Sequence, residues 1–172
     1  MKYLLHGEET ERLKFQSVSK DHFKLWLPFF ETFETTKYWK QELLNPKDAC
    51  KQWYKKQAWR NENDLGGMNA LFCKRTRQLI GYAGLLIQTV DGKSFLEIAY
   101  SLLPQFWNNG YATEAALKCK EIAEIRYNVL PCISIISVSN IPSQRVAEKL
   151  GFGIQKKTTY KDNEVYLYGN VL

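Results

Sequence analysis

The sequence predicts a mixed α+β fold, helices packed on a sheet of mixed strand direction, and three observations carry that expectation. Seven segments have the two-residue alternation or β-branched richness of strands, and at least four have the three- to four-residue apolar recurrence of helices. Their order is strand, helices, three strands, helix, strand, helix, two strands. The 172 residues, 45% hydrophobic and 14% aromatic, suffice for one sizeable core, and no repeat or low-complexity linker divides them, so residues 1–172 are expected to form a single domain.

Glu11 to Val18 alternates polar and apolar residues, placing Leu13 and Phe15 on one face of a half-buried strand. Ser19-Lys20-Asp21 has the composition of a helix start. His22 to Phe30, broken at Pro28, and Glu31 to Leu44 then suggest two short helices. Asn45-Pro46-Lys47-Asp48 is a clearer helix N-terminus, with Asn as cap, Pro in the first turn and an acid to complement the dipole. That helix is expected to reach about Asn61, with Ala49, Cys50, Trp53, Tyr54, Gln57 and Ala58 as its apolar stripe.

Asn61 to Gly67 reads as a loop. Met68 to Lys74, Leu79 to Val90 and Phe95 to Leu103 then read as a three-stranded meander, turning at Arg75 to Gln78 and at Asp91 to Ser94. Gly81 and Gly84 inside the second strand point to close packing or a bulge. Ala115, Ala116, Cys119, Ile122 and Ala123 form the buried stripe of a helix ending near Asn128. Pro131 to Val138 is a β-branched strand, and Asn140 caps a helix that stops at Gly151. Gly153 to Tyr160 and Glu164 to Val171, joined by Lys161-Asp162-Asn163, form a final hairpin.

The net charge of +6 and pI of about 9.1 favour an anionic partner. The basic residues are dispersed, with Lys74 to Arg77 and Lys156-Lys157 as the densest runs, and no concentrated patch of the kind that binds nucleic acid. Cys50, Cys73, Cys119 and Cys132 lack metal-ligand or redox spacing, so buried free thiols and no metal site are expected. The first residues hold too short an apolar run for a signal peptide, and no segment reaches membrane-spanning length. Both observations suit a cytoplasmic, reducing location.

The stretch with the most chemistry in it is Gln105 to Ala115, where a strand pattern stops, a Gly-bearing turn follows and a helix pattern begins. The first N–H groups of a helix have no intrahelical partner and sit at the positive end of its dipole, which suits a phosphate. Gly110 permits a positive φ or close approach of a ligand, and Ala112 keeps the next turn uncrowded.

Two motifs then resemble one superfamily. Trp107-x-x-Gly110-Tyr111-Ala112-Thr113-Glu114-Ala115, followed by Asn140-x-x-Ser143-x-x-Val146-Ala147-Glu148-Lys149-Leu150-Gly151-Phe152, is similar to the GNAT N-acetyltransferases. Thr10-Glu11-Arg12-Leu13 echoes the opening Thr-x-Arg-Leu strand of the RimJ/RimL-like, ribosomal-protein acetyltransferase branch. The resemblance covers nearly the whole chain and implies a central, mostly antiparallel sheet of six to seven strands flanked by about four to five helices.

The resemblance further implies acetyl-coenzyme A as cofactor, its pyrophosphate held by the backbone of Asn109, Gly110, Tyr111, Ala112 and Thr113. Trp107 and Asn108 lead into that arm; the branch often has Gly where Asn108 stands, and Asn tolerates left-handed geometry better than most residues. Pantetheine would lie along Tyr100 to Leu103, with the Leu102 N–H toward the thioester oxygen. Glu97, between Leu96 and Ile98, is the candidate base, directly or through water. Asn140 either caps its helix or bonds the pantetheine region, and the two roles are compatible. Many family members place a Tyr thiolate acid where this chain has Ala147, which makes Ser143 the candidate acid here. The acceptor, a protein N-terminus or a small amine, would bind near Trp26, Tyr38, Trp39, Tyr160, Tyr166 and Tyr168, in a monomer or homodimer. A coenzyme A binding module without efficient chemistry is the alternative reading.

Overall fold

The computed structural model describes residues 2–40, 44–127 and 131–170. Seven strands form one sheet: β1 (Leu13–Gln16), β2 (Gly66–Cys73), β3 (Leu79–Val90), β4 (Lys93–Leu102), β5 (Cys132–Ser137), β6 (Phe152–Tyr160) and β7 (Asn163–Asn170), in the spatial order β1-β2-β3-β4-β5-β7-β6. Every neighbouring pair is antiparallel except β4 with β5. This is the mixed, mostly antiparallel sheet expected. Around it lie α1 (Phe23–Trp26), α2 (Pro28–Glu31), α3 (Phe33–Thr36), α4 (Pro46–Glu62), α5 (Tyr111–Arg126) and α6 (Ile141–Lys149).

The strands are held in register by tight turns. Asp91 and Gly92 both have positive φ, at 48° and 73°, so β3 and β4 join through two residues and Val90 pairs with Lys93. The expected four-residue turn is therefore too long, and Lys93 and Ser94 belong to the strand. Lys161 and Asp162, with φ of 49° and 60°, close the β6–β7 hairpin in the same way, leaving Asn163 paired with Tyr160. Gly66 and Gly67 are strand residues rather than loop. A Cβ on Gly66 would lie 2.1 Å from the Leu85 carbonyl oxygen, and one on Gly84 2.0 Å from that of Gly67, so these strands approach where only glycine fits.

The early helices also depart from expectation. Instead of two there are three single turns, because Pro28 starts a new turn and Thr32 is extended, with φ of −119° and ψ of 134°. The Thr35 hydroxyl donates to the Phe29 and Thr32 carbonyls and fixes that break. On α4 the buried face runs through Cys50, Tyr54, Gln57 and Arg60, not Ala58, which is exposed. Arg60 is 4% exposed because its guanidinium donates to the Leu65 and Ile87 carbonyls, 2.8 and 2.6 Å away.

Two apolar layers follow from strand alternation. Ile80, Leu96, Ile98 and Leu102 meet Ala115, Ala116, Cys119 and Ile122 of α5, with Ala147 and Leu150 of the α6 region closing the same core. On the opposite face Ala70, Tyr82 and Leu86 meet Trp26, Phe29, Cys50 and Tyr54. Between them the sheet is nearly cut. Parallel β4 and β5 share only the pairs Leu96–Cys132 and Glu97–Ile133, after which β5 stays with β7 and β4 runs on without it.

Candidate active site

The Gly110 turn is built as a backbone cradle. After the single 3-10 turn Pro104–Phe106 the chain is extended at Trp107, left-handed at Asn108 (φ 59°) and left-handed again at Gly110 (φ 80°), which caps α5 without a side-chain bond. The first intrahelical bond runs from the Glu114 N–H to the Gly110 carbonyl, leaving the Tyr111, Ala112 and Thr113 N–H groups without helical partners. A Cβ added to Gly110 would meet only Arg12 Nη2, at 3.3 Å, so the space over the turn is open.

The edge strand braces this cradle. Glu114 accepts from the Thr10 hydroxyl at 2.5 Å, from the Arg12 N–H at 2.8 Å and from Arg12 Nε at 2.6 Å. Arg12 Nη1 also reaches the Asn109 carbonyl at 2.9 Å, and its guanidinium lies over the Tyr111 ring, 4.4 Å from the centroid. Burial raises the Glu114 carboxyl, but the hydrogen bonds from Thr10 and Arg12 outweigh it and hold the group below its ordinary range. Asn109 Nδ2 closes the turn on the Trp107 carbonyl at 2.7 Å, and Trp107 Nε1 donates to the Leu102 carbonyl at 2.9 Å.

The second part is the gap between β4 and β5. The Leu103 N–H bonds the Ile80 carbonyl at 3.0 Å. Backbone groups alternate sides along a strand, so the N–H groups of Tyr100 and Leu102 point the other way, toward the gap. Ser134 Oγ crosses the gap's narrow end to the Ile98 carbonyl at 3.1 Å. Beyond it Asn140 caps α6, its Oδ1 accepting from the Ser143 N–H at 3.2 Å. The Tyr100 hydroxyl donates to the Ser143 carbonyl at 3.0 Å, and burial pushes that phenol well above its ordinary value. Ser143 Oγ is half-buried beside that phenol.

A cavity of about 760 Å³ joins this gap to the face carrying α4. Tyr100, Asn140 and Ser143 line it at one end and Trp39, Trp53 and Tyr160 at the other, with Glu97 on its wall. Glu97 is 9% exposed and accepts from Gln88 Nε2 at 2.7 Å, while Gln88 Oε1 accepts from the Tyr160 hydroxyl at 2.9 Å. Burial pushes the Glu97 carboxyl up; the Gln88 hydrogen bond and the Arg60, Lys161 and Lys56 charges only partly oppose it. Lys56 is brought down to about 8, by desolvation of its ammonium in the cleft and then by the charges of Lys161 and Arg60.

Residues 12–153 match the family described as Acetyltransferase (GNAT) domain.

The chain belongs to the GNAT acetyltransferase family.

YkkB of Bacillus subtilis is 28% identical over 128 residues, 73% of each chain. An acetyltransferase from Agrobacterium tumefaciens superposes with a TM-score of 0.80 at 20% identity, covering 98% of this chain and 95% of its own. A ribosomal-protein-alanine acetyltransferase from Vibrio fischeri gives 0.68 at 13% identity, with 95% of each chain covered. As a GNAT acetyltransferase, this chain is an acyltransferase that takes its acetyl group from acetyl-coenzyme A. The unpaired α5 N–H groups, the open space over Gly110 and the gap beside β4 fit an extended ligand that ends in phosphates.

Glu97, Asn140 and Ser143 meet around one cavity, whereas Trp107 to Thr113 lie outside its lining, beyond the end of β4. The Leu102 and Leu103 side chains are core, and the Leu103 N–H is taken up by β3. Among the aromatics expected around the acceptor, Tyr38, Trp39 and Tyr160 line the cavity; Trp26 and Tyr168 are buried in the two cores, and Tyr166 does not line it. Sequence reasoning missed the Tyr100 hydroxyl, Gln88, Lys56 and the brace on Glu114. The hairpin register held the signal for Gln88, since it sets residues 88 and 97 diagonally on one face. The described cysteines are free, Cys132 half-buried and the other three buried.

Proposed function

We propose that the protein transfers the acetyl group of acetyl-coenzyme A directly to a primary amine, without a covalent enzyme intermediate. The carrying observation is that the β4–β5 gap opens on one sheet face beside Tyr100 and Ser143 and on the other beside Glu97. Bound acetyl-coenzyme A supplies a thioester, a carbonyl activated for displacement by an amine. The α5 N-terminus, with Asn109 to Thr113, holds the pyrophosphate, and the Leu102 N–H stabilises developing negative charge on the thioester oxygen. Asn140 keeps α6 capped beside the pantetheine path, which Trp107 borders. Glu97, with its raised pKa, accepts the amine's proton directly or through water. The Ser143 hydroxyl, beside the buried Tyr100 phenol, hydrogen-bonds the departing sulfur.

The likeness in fold to ribosomal-protein acetyltransferases supports the RimJ/RimL-like branch and a protein N-terminal amine among the acceptors. A cytoplasmic location fits this; no described helix is long and apolar enough to cross a membrane. The test is thiol release from acetyl-coenzyme A across a panel of amines and N-terminal peptides. Acceptor-dependent release is expected for at least one class, and tight cofactor binding without any such release would favour a binding module instead.

A further inference from the structure

The cavity that holds Glu97 is unevenly charged. Lys55, Lys56 and Lys161 line it, and among its described lining residues Glu97 is the one carboxylate. A second cavity of about 560 Å³ continues from it along Lys56, Trp59, Arg60, Gln88, Tyr160 and Lys161. Asp91, the one carboxylate among its described lining residues, is already held by Lys156 and by the Thr158 hydroxyl. Among the described residues, Lys55, Lys56, Arg60 and Lys161 make no ion pair, although eleven ion pairs are formed elsewhere on the surface.

Three further observations show that this charge is built into the site. Arg60 is 96% buried by its 4% exposure, and its Nε has no hydrogen-bond partner. Buried donors are rarely left unmatched, so an acceptor is missing there. Lys161 sits at a left-handed turn position (φ 49°) that Asn or Gly would fill with less strain, with its ammonium over the Tyr160 ring, 4.9 Å from the centroid. Desolvation in the cleft, and then repulsion from Lys161, lower the Lys56 ammonium. Glu97 is a single carboxylate facing Lys55, Lys56, Arg60 and Lys161, so the cluster keeps an excess of positive charge. An anion would supply the acceptor that Arg60 Nε lacks and offset the repulsion between Lys56 and Lys161.

Resting on the acetyl-transfer reading, we propose that the acceptor is an amine that also carries an anionic group, a carboxylate or phosphate. Lys56 and Lys161 bind that group, with Arg60 behind them. The same positive field opposes protonation of the bound amine and so favours the nucleophilic form. Trp59, 53% exposed at the mouth of the second cavity, gives the connecting chain an apolar wall.

Matched acceptors test this. The pairs are 4-aminobutyrate with butylamine, O-phosphoethanolamine with ethanolamine, and N-terminal peptides bearing Asp-Glu with their Asn-Gln counterparts. Acid-bearing members should exceed their neutral partners in kcat/KM by about tenfold or more, mainly through KM. A Lys56→Gln/Lys161→Gln double variant should bring that ratio toward one. Calorimetric binding of the same pairs to the acetyl-coenzyme A complex should show the same preference and the same loss. Transfer without preference for the acid-bearing members, or a preference kept in the double variant, overturns the inference and leaves acetyl transfer standing. Charge-selective binding without transfer to any acceptor would do the reverse. Which pair responds separates carboxylate, phosphate and acidic N-terminus.

Discussion

Replacing Glu97 by Gln should make the protein more stable and less active at the same time. Burial raises the Glu97 carboxyl above its ordinary value of 4.5, so between that value and its folded one the native state holds a proton that the unfolded chain has lost. Stability therefore falls as pH rises through that window and stays reduced above it. The amide has nearly the same volume, can still accept from Gln88 Nε2 through its carbonyl oxygen, and carries no charge to desolvate. The relief at pH 8 should be about 1–3 kcal/mol, the cost typical of a poorly satisfied buried polar group. For a chain of this size it raises Tm by about 2–4 °C per kcal/mol. Toward pH 4, where the wild-type carboxyl is mostly protonated in both states, the difference between the two proteins should shrink. Turnover should fall by about 10²–10⁴, the range of a lost general base, with acetyl-coenzyme A affinity retained. Thermal unfolding from pH 4 to 9, alongside single-turnover acetylation, checks both halves. Equal Tm profiles would show that Glu97 is not charged against its burial, and unchanged turnover would remove it from the mechanism.

Other perturbations separate the parts of the site. Gly110→Val forces a branched residue into φ of 80° and meets Arg12 Nη2, so acetyl-coenzyme A should bind at least tenfold more weakly by calorimetry; equal affinity would move the phosphates elsewhere. Ser143→Ala should lower turnover on the order of a hundredfold in a thiol-release assay. If it does not, and Tyr100→Phe does, the phenol rather than the serine serves the sulfur. Glu114→Gln loses the charge that Thr10 and Arg12 bond, costing about 1–3 kcal/mol, toward the lower end because Arg12 is partly exposed. Since the Glu114 pKa is held low, that loss should be full at neutral pH and disappear in acid as wild-type Glu114 protonates, a difference that denaturant unfolding at several pH values reads out.

The strands and the long helices were legible because their apolar periodicity is local: the α5 stripe from Ala115 to Ala123 is buried as read. Asn108 was likewise readable as a residue that tolerates the left-handed conformation it adopts. What failed were features settled between elements. Gly66 and Gly67 read as loop because glycine signals flexibility locally, whereas the approach of the Leu85 carbonyl to Gly66 and of the Asn61 side chain to Gly67 is what demands it. Arg60 was missing from the expected α4 stripe because nothing nearby in sequence shows that the Leu65 and Ile87 carbonyls await its guanidinium. At the candidate site, Glu97, Asn140 and Ser143, which line one cavity, were nominated through motif resemblance. Tyr100 was visible as a strand residue, but its hydroxyl meets Ser143 only after α6 packs 43 positions later.

The two residue pairs joining β4 to β5 give the sheet a mechanical seam. Four strands stand on one side and three on the other, and the backbone rungs absent after Glu97 and Ile133 are those that would lock the sides together. In the binding mode proposed above, a chain-like cofactor lying in the seam would take the place of a missing strand and tie both banks across it. Its binding energy would then add to the cohesion of the sheet, and hydrogen exchange in β5, β6 and β7 would measure whether the cofactor is aboard.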